Sequence, residues 1–409
     1  MKCYRLLTPV LCCAALIVAA QTAVAQSKQL GIHEIDGRQS DGSHYRNLLH
    51  PAVPLMAIAP DSRSAAMGDA GVASSPDVNS QHWNVAKYAQ IEKRAGVSVS
   101  YIPWLRKLTN EINLAYLVGY YRIDNMQTIS ASLRYFSMGH MVFTNEQGVR
   151  MQTHNPNEFA LDVGYSRRFA ENFSGGVSFR FIRSDLTGGF TQPNATGTAR
   201  AGTSYAADIA LYYTNKLRLG RTPAAYALGF TITNIGSKLT YNDVYRNFIP
   251  ITLRLGGRFS VDIDRYNSIS GLLDLSKLLI PTPPIYRNGK IVRGKDPNVG
   301  VVTGMVQSFY DAPEGLHEEL REIYWSFGVE YWYQKLFALR TGYFYEHQMK
   351  GGRQYFTLGA GVGYNIFSLD AAYLIPMAGF NSPMANTMRF SLMVNFDPPQ
   401  KKRKHDDKA

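Results

Sequence analysis

Histidines and carboxylates are the side chains here that could do chemistry, and their spacing matches no local catalytic motif. His317 precedes Glu318 and Glu319, but position 321, where a zinc-binding H-E-x-x-H helix would place its second histidine, is Arg321. The sequence has no G-x-S-x-G nucleophile motif and no calcium-binding loop. A Ser-His pair assembled across neighbouring strands would leave no local signature. We predict that the protein is not an enzyme and that it binds no metal and no cofactor.

A run of small residues interspersed with charges occupies residues 59–86. Small side chains allow close packing against other backbone, and charges that become buried need paired contacts. We predict an N-terminal plug or hatch over residues 51–92 that fills the lumen of a wide β-barrel, with a movable gate as the alternative. Its candidate residues are Asp61, Arg63, Met67, Gly68, Asp69, Gly71, Asn79, Trp83, Asn84 and Ala86.

The longest predicted connection, residues 278–322, contains prolines and aromatic residues, and it includes a predicted helix near residues 314–321. A loop of this length in a compact protein is usually functional or disordered. We predict a partner-binding surface, with a lid over the lumen as the alternative. The candidate residues are Pro283, Pro284, Tyr286, Phe309 and Tyr310.

The first residues indicate export. A basic start, an apolar run over residues 6–20 and a small-residue site ending at Ala25 predict a secretory signal peptide over residues 1–25, cleaved before Gln26. The apolar run is too short to span a bilayer comfortably. All three cysteines lie within this segment, at Cys3, Cys12 and Cys13. The mature chain therefore has no disulfide and no thiolate nucleophile.

The charge balance is basic, with a formal net charge of +12. Part of the excess lies in the run Lys401–Lys404, within a tail over residues 397–409 that is predicted to be disordered. No basic motif interleaved with aromatics appears, so we predict no nucleic-acid partner. Residues 26–50 are polar and are predicted to form a flexible lead-in.

Membrane crossing by strands is predicted, because no run after residue 25 reaches the length of a transmembrane helix and a closed barrel is the remaining solution. The predicted fold is an all-β, fourteen-stranded antiparallel transmembrane β-barrel over residues 93–396. Its candidate strands cover residues 95–103, 111–123, 127–137, 157–169, 173–185, 203–215, 224–234, 250–262, 267–277, 323–334, 337–347, 353–364, 367–375 and 386–396.

Alternation within these strands predicts their faces. In the third strand, Ile129, Leu133 and Tyr135 would face lipid, while Ser132 and Arg134 would face the lumen. Connections alternate between short and long, as do periplasmic turns and extracellular loops of outer-membrane barrels. The connection 216–223 is a long exception among the short ones and 348–352 a short one among the long. This parity predicts an outer-membrane protein with both termini periplasmic.

The segment from Ala59 to Ala73, followed by residues 84–86, resembles the N-terminal region of the FadL-like superfamily of fourteen-stranded barrels with an N-terminal hatch. Residues 75–88 resemble the PorV (LptO) family, with Val85 where that family carries proline. The resemblance extends from about residue 51 to Phe396, which ends an amphipathic terminal strand.

The resemblance implies a component of the type IX secretion system. Such a protein would be a shuttle that binds cargo by a C-terminal signal domain as it leaves a translocon barrel of the SprA or Sov kind. It would deliver the cargo to the sortase-like protein PorU. Outer-membrane lipid would surround its barrel. The alternative is a FadL-type transporter of hydrophobic compounds. Gly359, Gly361 and Gly363 would then leave room for a ligand, or instead relieve crowding where the plug touches the wall.

Overall fold

A computed structural model describes residues 47–104, 111–144, 149–191, 198–242, 245–287, 290–377 and 387–396 of the 409-residue chain. The predicted signal peptide, its cleavage site before Gln26, most of the predicted lead-in and the predicted tail over 397–409 lie outside these residues. Within the described ranges, no helix has both the length and the apolar character needed to cross a membrane.

The described strands occur in a simple order along the chain. They are β1 Ala95–Pro103, β2 Ile112–Arg122, β3 Gln127–Met138, β4 Met141–Thr144, β5 Arg150–His154, β6 Asn157–Ala170, β7 Phe173–Asp185, β8 Gly202–Leu219, β9 Thr222–Gly236, β10 Thr252–Asp262, β11 Asn267–Leu278, β12 Ile285–Arg287, β13 Lys290–Arg293, β14 Ile323–Tyr333, β15 Phe337–Tyr345, β16 Gln354–Tyr364, β17 Phe367–Pro376 and β18 Met388–Phe396.

Fourteen of these strands close an antiparallel barrel, and the pairs β4–β5 and β12–β13 form separate hairpins. Closure is made by β1 against β18, with Ala95 opposite Phe396 and Tyr101 opposite Phe390. Because the sheet has no free edge, every wall strand is paired on both sides, as a membrane requires. The predicted fold class is therefore confirmed.

The faces of the wall follow the alternation in the sequence. On β3, Ile129, Leu133 and Tyr135 are exposed on the outside, whereas Ser132 and Arg134 are buried inside. The wall strands β6 and β14 alternate in the same way. Apolar residues face outward because lipid surrounds that face, and polar residues face a lumen that is filled by the protein itself.

The two ends of the barrel differ. One end, here called the short-turn end, carries connections of two to four residues, such as Gly220–Arg221 between β8 and β9. The long connection predicted over 216–223 is wrong, because β8 and β9 stay paired as far as Leu219 and Thr222. The positive φ of Gly220 permits the tight turn. The ends of β8 and β9 extend beyond the lipid, where a paired strand needs no apolar face. Their sequence therefore resembled that of a loop.

The opposite end, here called the long-loop end, carries more structure than predicted. The hairpins β4–β5 and β12–β13 lie within predicted loops. The connection between β11 and β14, here called the cap loop (residues 279–322), contains two short helices, α3 Val301–Gln307 and α4 Leu316–Arg321. Only α4 was predicted.

The N-terminal region, here called the lumen segment (residues 51–94), contains the single-turn helices α1 Ser62–Ala65 and α2 Ser80–Trp83, and 3₁₀ turns at Pro54–Ala57 and Val85–Gln90. It begins at the long-loop end, where Ala52 N–H donates to the Phe248 carbonyl over 2.8 Å. It leaves at the short-turn end, where Arg94 N–H donates to the Phe396 carbonyl over 3.0 Å. The chain therefore reaches β1 by passing through the barrel.

Candidate functional site

The lumen segment is braced internally before it meets the wall. Asp61 caps α1, because its Oδ2 accepts from Ser64 N–H over 2.9 Å. Its Oδ1 accepts from the indole Nε1 of Trp83 over 2.6 Å, which joins the two halves of the segment. The Trp83 ring leaves no room for a side chain at position 71, since a Cβ on Gly71 would lie 2.4 Å from it.

Arg63 ties the segment to the wall through buried ion pairs. Its guanidinium donates to Glu330 on β14 with distances of 2.9 and 2.8 Å, and to Asp77 of the same segment over 2.8 Å. Arg340 on β15 also donates to Glu330, over 2.8 Å and to the Oε1 that accepts from Arg63, and it donates to Asp370 on β17 over 2.6 Å. Because each buried charge has opposite charges beside it, the network offsets its desolvation.

The turn at residues 67–69 lies against the backbone of the wall. Gly68 adopts a left-handed φ of 67°, and its N–H donates to Thr357 Oγ1 over 2.9 Å. Asp69 accepts from Arg389 over 2.9 Å and from the Tyr355 hydroxyl over 2.6 Å. Met67 is fully buried there. The contact is close enough that only glycine fits at several facing wall positions.

Those wall glycines surround the segment. A Cβ on Gly342 would lie 2.1 Å from the Gly68 nitrogen, and one on Gly359 would lie 2.3 Å from Ala66 Cβ. Gly361 instead makes room for the Arg340–Asp370 pair. The wall glycines that face the segment in this way are Gly96, Gly164, Gly176, Gly229, Gly256, Gly328, Gly342 and Gly359. At Gly359, the space is taken by the lumen segment and not by a ligand cavity.

Asp274 on β11 holds the next part of the segment. Its Oδ2 accepts from the backbone N–H groups of Gly71 and Val72, over 2.7 and 2.9 Å. On the other side, the buried Lys87 donates its Nζ to the Gly71 carbonyl over 2.9 Å and to Ser74 over 2.8 Å. Neither Asp274 nor Lys87 was singled out from the sequence.

The remaining predicted residues hold the exit of the segment. The Asn84 amide donates to the carbonyls of Val72 and Leu211, over 3.1 and 3.0 Å. The carbonyl of the buried Ala86 accepts from Ser174 on β7 over 2.9 Å. Asn79 is fully buried and its amide nitrogen lies 3.5 Å from Met393 sulfur. All ten predicted hatch residues thus lie in the lumen, where their contacts are structural.

A second buried ion network runs along the wall opposite Glu330. Arg134 on β3 lies 3.3 Å from Asp162 on β6, and Arg180 on β7 contacts both Asp162 and Asp208 on β8, the latter over 2.8 Å. Arg180 also donates to the Asn234 side chain, at a bulge where β9 adopts a positive φ. These residues stiffen five neighbouring strands rather than line an open channel.

The cap loop is fixed to the barrel rim by a mixed cluster of charges. Lys277 at the end of β11 lies 2.9 Å from Glu319 and 2.5 Å from Glu322. Lys350, in the connection after β15, lies 2.6 Å from Glu318 and 2.9 Å from Glu322. These pairs are buried, so they hold the loop in one position above the barrel.

The acidic members of the cluster do not all behave alike. Burial, with Glu319 and Glu322 nearby, raises the pKa of Asp311 to about 6. Its Oδ2 accepts from Thr282 N–H over 3.1 Å. The pKa of Glu318 is lowered despite its burial, because Lys350 donates to it. The Asn47 amide also donates to Glu318 over 3.0 Å, which links the cap loop to the first described residue.

The outer face of the cap loop exposes apolar side chains on a fixed support. Helix α3 rests on the neighbouring loop through Gly304, where a Cβ would lie 2.7 Å from the Phe248 ring. Its opposite face presents Val302, 71% exposed, and Val306, one turn further on. We call the exposed set the cap patch; it comprises Val302, Val306, Phe309, Tyr310 and Leu316.

The predicted partner-loop residues are divided by the structure. Phe309 and Tyr310 belong to the cap patch, and Tyr286 is exposed on the hairpin β12–β13. Pro284 is buried beneath Gly294 and adds no surface. Pro283 is half-buried, and its carbonyl accepts from Asn47 over 3.1 Å. Sequence reasoning did not identify Val302, Val306 and Leu316, although the four-residue spacing of the two valines was an available signal.

Among the residues that the structure describes, no three histidine, cysteine, aspartate or glutamate side chains are placed to hold a metal ion. His317, the histidine of the incomplete zinc motif, lies on the short helix α4. The described contacts form a filled barrel whose cap loop exposes the cap patch.

Comparison with known proteins gives one family match. A family model described as type IX secretion system protein PorV matches residues 41–285. No curated protein matches the sequence. Among solved structures, the Pseudomonas putida toluene transporter TodX is similar at 11% identity and a TM-score of 0.47, covering 83% of this chain and 99% of that one. The monoaromatic hydrocarbon channel CymD follows at 12% identity and a TM-score of 0.45, covering 83% and 98%. A Pseudomonas aeruginosa FadL homologue has 13% identity and a TM-score of 0.41, covering 82% and 98%.

Proposed function

The chain belongs to the PorV family of the type IX secretion system, an outer-membrane component of that machinery, and we propose that it acts there as a cargo shuttle. It would bind secreted proteins by their C-terminal signal domain as they leave the translocon barrel. It would then bring them to the sortase-like protein PorU at the attachment complex. In this proposal the protein binds and delivers, and catalyses no reaction.

The orientation in the membrane is part of the proposal. The short-turn end would face the periplasm and the long-loop end the outside, as in other outer-membrane barrels. Phe396, at the end of β18, then lies on the periplasmic side. Asn47 lies on the outer side, because it contacts the cap loop. The first described residue therefore lies on the outer side, whereas the sequence predicts a periplasmic N-terminus. In this proposal, the signal peptide is cleaved before Gln26 during export.

The cap patch is the observation that supports partner binding most directly. The patch comprises five large side chains that are each at least 50% exposed, and groups of exposed apolar side chains on a water-facing surface often mark a binding site. The patch is not an unfolded loop, because Lys277 and Lys350 fix the cap loop to the rim through buried ion pairs. A partner therefore meets a preformed surface and loses little binding free energy to ordering the loop.

The lumen segment has a supporting part in this proposal. Its backbone touches wall glycines on many strands, and Arg63 and Asp274 hold it by buried charged contacts. Moving it out would leave Glu330 and Asp274 without these partners, which is costly. We propose that it is a fixed plug that stiffens the barrel beneath the cap loop, and not a gate that opens for cargo.

Purification from native outer membranes tests the proposal. The protein, tagged after Ala409, is isolated in mild detergent and its co-purifying proteins are identified by mass spectrometry. We expect the translocon barrel, the sortase-like protein or cargo with a shared C-terminal domain. The double variant Val302→Asp/Val306→Asp should weaken binding to them by at least about a hundredfold, since each of the two apolar side chains contributes roughly 1.5–3 kcal/mol when it is buried and about 1.4 kcal/mol corresponds to a factor of ten.

The control is Val142→Asp, which places a single aspartate on the exposed hairpin β4–β5 at the same end of the barrel. Its partners should be recovered at the wild-type level. Recovery of the wild-type protein alone, with fatty acid or another hydrophobic compound bound, would refute the shuttle and support the transporter alternative.

A further inference from the structure

The outer wall of the barrel carries a depression that the shuttle proposal does not use. It lies across β1, β2, β3 and β6 and has a cavity volume of about 640 Å³. The depression is walled by outward-facing apolar side chains, in the part of the wall that faces lipid hydrocarbon. We call it the furrow.

Strand register explains why the furrow forms. Gly119 on β2 is paired with Val97 on β1 and with Ala131 on β3, and Ala131 is paired with Val163 on β6. The two smallest side chains thus lie side by side in one outward row. The neighbouring rows carry large side chains: Leu117, Leu133 and Leu161 on one side, and Tyr121, Ile129 and Tyr165 on the other. Gly119 and Ala131 therefore form the floor of the furrow, and the large side chains of the neighbouring rows form its sides.

Two arginines lie at the short-turn side of the furrow. Arg94 is exposed, its guanidinium donates to the Tyr121 hydroxyl over 2.9 Å, and its Cζ lies 5.6 Å from the centre of that ring. Arg167 is exposed on the same outward face of β6, two residues beyond Tyr165, which is about 7 Å further along the strand. Exposed guanidinium groups at the edge of the hydrocarbon suit a phosphate group.

From this arrangement we propose that the furrow is a specific binding site for one phospholipid. An acyl chain lies over Gly119 and Ala131, and the lipid phosphate lies between Arg94 and Arg167. In the orientation proposed above, the lipid belongs to the periplasmic leaflet, which is rich in phospholipid. The furrow itself does not depend on the shuttle function, because it rests on the wall alone.

The experiment uses the full-length protein, purified and delipidated in detergent, with phosphatidylethanolamine added and bound lipid counted by native mass spectrometry. We expect one retained lipid per barrel. Ala131→Leu, which fills the floor of the furrow, should reduce the occupied fraction by about tenfold. The double variant Arg94→Gln/Arg167→Gln should do the same for phosphatidylethanolamine, and should leave binding of diacylglycerol, which has no phosphate, as weak as in the wild type.

The matched control is Ala207→Leu, the same change at an outward, exposed position of β8 outside the furrow. It should keep the bound lipid, and all variants should keep the heat-modifiable mobility of a folded barrel. Equal lipid occupancy in the wild type, Ala131→Leu and Ala207→Leu would overturn the proposal, because it would mean only unspecific lipid around the wall. Diacylglycerol bound as tightly as phosphatidylethanolamine would overturn the phosphate site.

Discussion

At the scale of single residues, glycine decides how closely the lumen segment approaches the wall. The backbone of Gly68 occupies the space where a side chain at position 342 would lie, with 2.1 Å between the Gly68 nitrogen and such a Cβ. The neighbour is backbone and cannot rotate away. The lumen segment and the wall therefore fit so closely that there is no room for one added methyl group, as in the interior of a soluble protein.

Replacing Gly342 by alanine is expected to destabilise the barrel. Overpacking of this kind typically costs about 1–3 kcal/mol, so the temperature at which the folded form disappears on a heat-modifiability gel should fall. The control is Gly271→Ala on β11, where a Cβ would meet no atom within 4 Å. Equal midpoints for the two variants would show that the segment does not lie against β15.

Asp311 makes the cap loop sensitive to pH. The pKa of Asp311 in the folded protein is about 6, above its ordinary value of 3.8. Asp311 therefore stabilises the folded loop fully below pH 3.8, and this stabilisation is lost as the pH rises through about 6. Glu318 has a lowered pKa, so its stabilisation is complete above its ordinary value of 4.5 and is lost as the pH falls below it. Above about pH 4.5 only the contribution of Asp311 still changes, so the loop should lose stability as the pH rises from about 5 to about 7.

Hydrogen exchange measures this effect, once the intrinsic pH dependence of exchange is corrected. Residues 301–321 should be more protected at about pH 5 than at about pH 7.5. Asp311→Asn should remove most of the difference, because the amide does not titrate. A pH dependence that persists unchanged in this variant would assign the effect to another group of the cluster.

At the scale of elements, the lumen segment is the feature that determines the topology of the chain. Its first contacts are with the loops at one end and its last with the terminal strand at the other. A direct approach to β1 from the short-turn end would need no chain inside the barrel. The threaded path predicts that residues near position 50 face the outside of the cell.

Cysteine labelling tests the threaded path. His50→Cys places a thiol at an exposed position immediately before the segment, and Asn125→Cys places one in a short turn at the opposite end. The native cysteines all precede position 14, within the predicted signal peptide. A membrane-impermeant maleimide added to intact cells should label His50→Cys and spare Asn125→Cys. The reverse pattern would show that the orientation or the threading is wrong.

The wall could be predicted from sequence, because alternation with period two repeats in strand after strand and each strand supports the next. Helix α3 could not, since it has seven residues and contains Gly304, which disfavours helix. The ends of β8 and β9 could not, because polar residues beyond the lipid show no alternation. The cap cluster was hidden for a different reason: Lys277 and Glu322 are 45 positions apart and meet only in the folded chain.

The inner site was predictable as a segment but not as a set of contacts. Its small residues indicated close packing, and Asp61, Arg63 and Asp69 indicated paired charges. Closure of the barrel brings Glu330 to Arg63 and Arg389 to Asp69, whereas folding of the segment itself brings Trp83 to Asp61. Asp274 is one acidic residue on one strand, and no local pattern marks it.

At the scale of the whole molecule, the barrel is a membrane-embedded support with three surfaces. The filled lumen gives rigidity, the lipid-facing wall carries the furrow, and the long-loop end presents the cap patch. Family membership places this assembly in the type IX secretion system. In the proposed function, the cap patch carries cargo between the translocon and the attachment complex.

Secretion in cells that lack the native protein tests this claim most directly. Such cells are supplied with the wild-type chain, Val302→Asp/Val306→Asp or Val142→Asp, and a cargo protein with the C-terminal signal domain is quantified in the periplasm and outside the cell. We predict that the double variant, though folded in the membrane, leaves cargo in the periplasm as an empty vector does, while Val142→Asp restores export. Wild-type export without the protein, or with the double variant, would contradict the account.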